Sequence, residues 1–217
     1  MWLMSGNEYK TLTEQAKELE RDRFGVKVLL LPDERIVKLF RLKRWFSFSA
    51  IYPYSFRFRR NARRVRKLGL NSVQVERVFY CTAIRRHGVI YPRLAGDTLA
   101  DLLTREPERT ELLEELALYM AQLHLTGVYF RSLHLGNVLL QSEGGLALID
   151  VADMRFRNRP LNGSERARNF GHLLRKPEQR AMIEQFGMDA FLELYRRSAG
   201  YSGQQMEPIK QACASSN

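Results

Sequence analysis

The chain is poor in cysteine. Its 217 residues hold two, Cys81 and Cys213, far apart. That leaves no disulfide framework and points to a reducing, cytoplasmic compartment. No run of about 18 apolar residues occurs, so no membrane-spanning helix is expected. The opening MWLMSGNEY has neither a basic start nor an apolar stretch, so no secretory signal is expected. Internal repeats are missing. Carboxylates are missing from one long stretch, residues 41–67.

What that stretch does contain is positive charge. Ten Lys or Arg fall within it: Arg41, Lys43, Arg44, Arg57, Arg59, Arg60, Arg63, Arg64, Arg66 and Lys67. They account for most of the formal net charge of +11. Trp45, Phe46, Phe48, Tyr52, Tyr54, Phe56 and Phe58 are interleaved with them. Basic charge with interfacial aromatics suits an anionic membrane surface or a phosphorylated lipid-sugar. RNA is an alternative, through phosphate neutralisation and base stacking. A solvated helix whose aromatics pack inward is another.

Length and a hydrophobic content of 45% fit one globular domain, or one with two lobes. Residues 8–23 read as charged and helical. Val26–Leu31 and Ile36–Phe40 read as strands around a Pro32–Arg35 turn. Lys38 lies alone between apolar neighbours in the second of them. Helical character is strongest over 55–68, and strands are expected at 73–81, containing Glu76, and at 88–91. Pro92–Leu99 reads as a connector bending at Gly96, with Asp97 or Thr98 capping a helix over 99–103. Leu112, Leu113, Leu116, Met120 and Leu123 are at helical spacing, so the helix over 109–126 is core. His124 near its end reads as a structural or capping histidine. Ser164 reads as the cap of a helix over 165–175, residues 177–198 as one or two amphipathic helices, and 211–217 as a frayed tail.

The most informative segment is VYFRSLHLGNVLLQSEGGLALIDVADMRF, residues 128–156. A polar loop over 130–137 leads into Val138-Leu139-Leu140. A Glu-Gly-Gly turn at 143–145 leads into Leu146–Ile149, ending on Asp150. Two short apolar strands around Gly-Gly predict a hairpin. Asn137 precedes its first strand and Asp150 follows its second, which puts both at one end. An amide oxygen and a carboxylate are hard donors, suited to Mg²⁺ also held by substrate phosphates.

Loop, hairpin and Asp resemble the catalytic segment of protein-kinase-like enzymes, H-R-D-x-x-x-x-N, hairpin, D-F-G. Phe130-Arg131-Ser132 and Asn137 align with the first part without a gap, and Asp150 falls at the DFG aspartate. His134-x-Gly136-Asn137 resembles the lipopolysaccharide-core (Kdo/heptose) kinase family, including small members labelled toluene-tolerance proteins. The sequence departs from the pattern in five places, the first being that Val151-Ala152, not Phe-Gly, follows Asp150. Ser132 replaces the Asp that orients the substrate hydroxyl, and Phe130 replaces the leading His. Asn61 stands where a Glu would pair with the strand Lys, and no G-x-G-x-x-G precedes Lys38, with only Gly25 nearby.

The resemblance implies an α+β, bilobed, protein-kinase-like fold. Residues 1–94 would form a small β-rich N-lobe with the Arg-rich helix, and 95–217 a mostly helical C-lobe. It implies ATP and Mg²⁺ as cofactors, with Lys38, Asn61 and the Gly96 hinge at the nucleotide and Asn137 and Asp150 at the metal. His134 or Asp153 would substitute for the base missing at Ser132. Asp153 could also assist the metal, or form an ion pair with Arg155 or Arg157, and the ion pair is the preferred reading of the two. The implied substrate is a lipopolysaccharide-core sugar or related envelope glycolipid, met at the inner face of the bacterial inner membrane through the Arg41–Lys67 segment. Alternatives are a catalytically impaired pseudokinase serving as a binding module and an RNA-linked kinase-like ATPase.

Overall fold

A computed structural model describes residues 1–41 and 53–215. Lys43, Arg44, Trp45, Phe46, Phe48 and Tyr52 of the basic stretch lie outside the described residues. The chain is α+β and divides into two compact units, Met1–Leu94 and Ala95–Asn217.

Among the described residues the first unit is a sheet with one helix on each face. Its strands are β1 (Trp2–Met4), β2 (Lys17–Asp22), β3 (Gly25–Leu30), β4 (Arg35–Arg41), β6 (Arg77–Cys81) and β7 (Arg86–Pro92), with a two-residue strand, β5 (Asn71–Ser72), between β4 and β6 in sequence. The sheet order is β1-β6-β7-β4-β3-β2, parallel between β1 and β6 and antiparallel elsewhere. Side chains alternate across a strand, so β4 sends Val37 and Leu39 to one face and Ile36, Lys38 and Phe40 to the other. The first face packs with Leu29, Phe79, Cys81 and Ile90, covered by Tyr9 and Leu12 of α1 (Gly6–Thr13). On the other face lies α2 (Tyr54–Lys67), which buries Ser55, Phe58, Asn61, Ala62 and Val65, one stripe at helical spacing. Its Phe58 ring sits 5.7 Å from Phe40 and 5.6 Å from Tyr91.

Two expectations for this unit are corrected. Helix stops at Thr13, and Lys17–Asp22 is strand instead. Pairing with β3 overrides the local helical bias, and every residue of β2 is exposed. The strand expected from 73 starts at Arg77. Glu76 precedes it, donating its N–H to Ile90 O at 2.9 Å, its carboxylate 3.8 Å from Arg35.

The second unit is mostly helix: α3 (Leu99–Arg105), α4 (Glu111–Leu125), α5 (Gly163–Leu173), α6 (Pro177–Phe186), α7 (Met188–Ala199) and α8 (Gly203–Ser215). α4 packs on α7 and α5 on α8. The expected hairpin is present as β10 (Val138–Gln141) and β11 (Leu146–Leu148). The Gly96 segment, expected as a connector, is a strand, β8 (Gly96–Thr98), paired to β10. Gly96 has φ +132°, and a Cβ there would lie 2.0 Å from Leu140 O, so only glycine fits. Thr98 caps α3, its hydroxyl accepting from Asp101 N, while Asp97 pairs with Arg105 at 2.7 Å.

Two further expectations are corrected. Asn162, not Ser164, caps α5. Asn162 and Glu165 form a reciprocal capping box, which Ser164, one position inside the helix, cannot make. The tail expected to fray from 211 is helical to Ser215, because Ile209 and Cys213 of α8 are buried. Among the described residues no helix is long and apolar enough to cross a membrane.

Candidate functional site

The C-terminal unit brings the loop residues to one end of the β10–β11 hairpin. Leu135–Asn137 form a 3₁₀ turn, and Asn137 N–H donates to His134 O at 2.9 Å. Val138 is opposite Leu148, so Asn137 faces Ile149, whose N–H donates to Asn137 O at 3.1 Å. Asp150 is the next residue. Asn137 Nδ2 donates to Ser132 O at 2.8 Å, which commits the nitrogen and leaves Oδ1 as the end a cation would use. Ser132 thus enters the site through its backbone carbonyl.

Asp150 has φ 56° and ψ 44°, a left-handed conformation, at the entry to a 3₁₀ turn over Val151–Asp153. Non-glycine residues adopt this region at a cost, and such residues concentrate where function needs them. Glycine would hold the same backbone without that cost. Asp150→Gly relieves that cost but loosens the unfolded chain, so stability should hold or rise by up to about 1 kcal/mol, read as the denaturation midpoint. A fall in stability would show that the carboxylate holds the fold.

His134 lies beside this end. Burial holds its imidazole below the ordinary histidine range, the Lys176 ammonium adds to that, and Asp150 opposes it. The ring is therefore neutral at pH 7. Its Nδ1 is buried and has no hydrogen-bond partner among the described residues. Asp153 sits half-buried at the end of its turn. Arg157, a partner expected for Asp153, bridges instead to Glu165 at 2.6 Å, joined there by Arg159 at 2.9 Å. Burial pushes Glu165 up, but Arg157, the Asn162 N–H and Arg159 together bring its carboxyl down to about 2.

The loop is pinned from behind by groups on other helices, which no local sequence pattern ties to it. Gln179 of α6, 3% exposed, accepts from Leu135 N at 2.9 Å. Asn169 of α5 holds both backbone groups of Phe130, where the loop starts: Nδ2 donates to Phe130 O at 2.6 Å, and Oδ1 accepts from Phe130 N at 3.3 Å. Phe130 ends β9 (Val128–Phe130), which pairs with β12 (Met154–Phe156) on the far side of Asp150. Asn169 Oδ1 is also 3.2 Å from His124 Nε2, and the Tyr195 hydroxyl is 2.7 Å from His124 Nδ1. Asn169 offers only an oxygen there, so Nε2 carries the proton and Nδ1 accepts from Tyr195. Arg166 donates to the Tyr195 oxygen at 2.9 Å and to Leu161 O at 2.8 Å. His124 is thus a structural histidine, as expected. The signal for its partners was present: Arg166 and Asn169 stand at i, i+3 on the same stripe as Phe170 and Leu173.

Lys38 and Asn61 belong to the N-terminal unit. Lys38 lies mid-strand between Val28 and Val89, 8% exposed, its Nζ 5.8 Å above the Phe58 ring. Asn61 is fully buried in α2, its Oδ1 3.5 Å from Arg60 Nε. The outer face of α2 exposes Arg59, Arg60, Arg63, Arg64, Arg66 and Lys67. An open groove of about 330 Å³ between Leu12 and Arg35 contains none of the expected site residues.

Among the described residues no three His, Cys, Asp or Glu converge on a point. Magnesium held by one carboxylate, an amide oxygen and ligand phosphates needs no such cluster, and Asn137 with Asp150 suits that donor set. In comparisons with known proteins, no family matches the chain and no curated protein matches it.

Proposed function

We propose that the chain is an ATP-dependent phosphotransferase-like protein with a bilobed, protein-kinase-like fold. The observation that carries this reading is the hairpin end where Asn137 stands in register with Ile149, beside Asp150 in its left-handed conformation. Asn137 Oδ1 and the Asp150 carboxylate would hold Mg²⁺, with Lys38 directed to the nucleotide phosphates and Asn61 and Gly96 supporting the nucleotide site. Bound Mg-ATP supplies the phosphoryl group. His134, neutral at pH 7, is the group suited to accept a hydroxyl proton in place of Ser132, with Asp153 as the alternative. Phosphoryl transfer depends mainly on positioning and electrostatics, so the missing Asp lowers rate without forbidding the chemistry. The acceptor in this reading is a lipopolysaccharide-core sugar or related envelope glycolipid at the cytoplasmic face of the bacterial inner membrane. The exposed arginines of α2 support an anionic partner of that kind.

Thermal unfolding with and without Mg-ATP tests the nucleotide site. At about a hundred times the dissociation constant, ligand should add about 2.7 kcal/mol of stability to the wild type. Asp150→Ala should lose the Mg²⁺-dependent part of that shift. No shift in the wild type at millimolar ATP would overturn the reading.

A second reading, a pseudokinase acting as a binding module, is favoured by Ser132, which brings no carboxylate and offers its carbonyl to Asn137. Ser132→Asp separates the two. Gained ATP turnover marks a detuned enzyme, and nucleotide binding without turnover marks a scaffold.

A further inference from the structure

At the tip of the β2–β3 hairpin an aromatic ring stands in solvent among arginines from three strands or their ends. Phe24 is 46% exposed, and it is the only exposed aromatic side chain among the described residues. The Arg23 guanidinium lies 4.6 Å from its ring centroid and that of Arg41, the last residue of β4, 3.5 Å. Arg86, the first residue of β7, donates to the carbonyls of Phe24 and Val26 and so fixes the tip from beneath. Gly25 has φ +108°, and a Cβ there would lie 3.3 Å from the Arg86 guanidinium, so the turn is shaped to let that arginine in. Asp22 Oδ1 accepts from Phe24 N at 2.8 Å and closes the turn.

The hairpin's other carboxylates are engaged along its length. Glu18 takes Arg21 at 2.6 Å, and Glu20 takes Lys27. Among the described residues Arg23 and Arg41, both exposed, have no carboxylate within salt-bridge distance. The tip therefore presents an apolar ring edge with cationic groups around it, on a rigid two-residue turn.

We propose that this tip is a membrane wedge, in which Phe24 enters the headgroup–acyl boundary of an anionic bilayer while Arg23 and Arg41 meet lipid phosphates. Lipid is favoured over RNA because the two guanidiniums compete with a base for the π face of Phe24, whereas an acyl region needs only the ring's edge and bulk. The proposal needs no nucleotide and shares only the membrane setting with the phosphotransferase reading, so its vesicle assay can succeed or fail independently of Mg-ATP binding.

Vesicle co-sedimentation of the full chain tests it, using phosphatidylcholine with and without phosphatidylglycerol. The wild type should bind only vesicles containing phosphatidylglycerol. Phe24→Ala should weaken that binding about tenfold, and Arg23→Gln and Arg41→Gln about fivefold each at low salt. Phe24→Trp should retain binding and show an added blue-shifted emission on the acidic vesicles. Unchanged unfolding midpoints confirm that each variant is folded, since none of the three side chains is buried. Vesicle binding that Phe24→Ala leaves intact would overturn the proposal. So would Phe24-dependent binding to a single-stranded RNA without binding to vesicles, or loss of the Mg-ATP stabilisation in Phe24→Ala with vesicle binding retained.

Discussion

Asn169→Ala should destabilise the protein by about 3–5 kcal/mol, one of the two largest effects expected from this structure. The side chain is fully buried and serves three groups at once: the N–H and C=O of Phe130 and the Nε2–H of His124. Removing it leaves the Phe130 N–H and the His124 Nε2–H without partners in a region closed to water, at about 1–3 kcal/mol each before relaxation, while Phe130 O keeps the bond from Leu133 N at 3.1 Å. The loss is not confined to one contact, because Phe130 is the last residue of β9 and the start of the loop that carries Ser132, His134 and Asn137. Urea unfolding is the direct measurement. The midpoint should fall at nearly constant slope, which assigns the change to stability and not to the compactness of the unfolded chain. A loss below about 1 kcal/mol would mean that β9 finds other partners and that the network is incidental.

The same network makes the protein sensitive to acid. Burial, with help from the Arg166 charge, holds His124 down to about 3, although its bond to Asn169 pulls the other way. The fold therefore keeps the neutral ring, whereas the unfolded chain takes up a proton near the ordinary value of about 6.5. The stabilisation is complete above pH 6.5 and is lost as pH falls from there towards 3, reaching about 5 kcal/mol at the bottom of that window. His87, His134 and His172 are also lowered by burial and share the sign, so the contribution of His124 is read by difference. Between pH 6.5 and 5, stability of His124→Gln should fall less steeply than that of the wild type. Parallel curves would place the proton elsewhere. Glu165 does not confuse the comparison, because a carboxyl at about 2 gives up its stabilisation only below its unfolded value near 4.5.

Much of the architecture was legible because period and punctuation agree. Apolar runs at 26–31 and 36–40 flanking Pro32-Asp33 read as strands and are strands. Gly144 and Gly145, both at positive φ, turn the β10–β11 hairpin, and that turn brings Asn137 beside Asp150. Lys17–Asp22 misled because KELERD has the composition of a helix, and only its partner β3 makes it a strand. Gly96 misled for a related reason. Its flexibility suggested a bend, but the demand is the close approach of β10, a contact between residues 44 positions apart. The site was legible in part. Spacing identifies Asn137 and Asp150 as neighbours, but nothing local reveals that Gln179 and Asn169 hold their loop from other helices.

The six-stranded sheet ends on β1, three residues long, and on β2, whose six exposed residues include five charged ones. An open edge invites another strand to add by backbone pairing, and short or charged edges discourage it. Strand addition at either end of this sheet, and runaway end-to-end stacking into fibrils through it, is thereby discouraged.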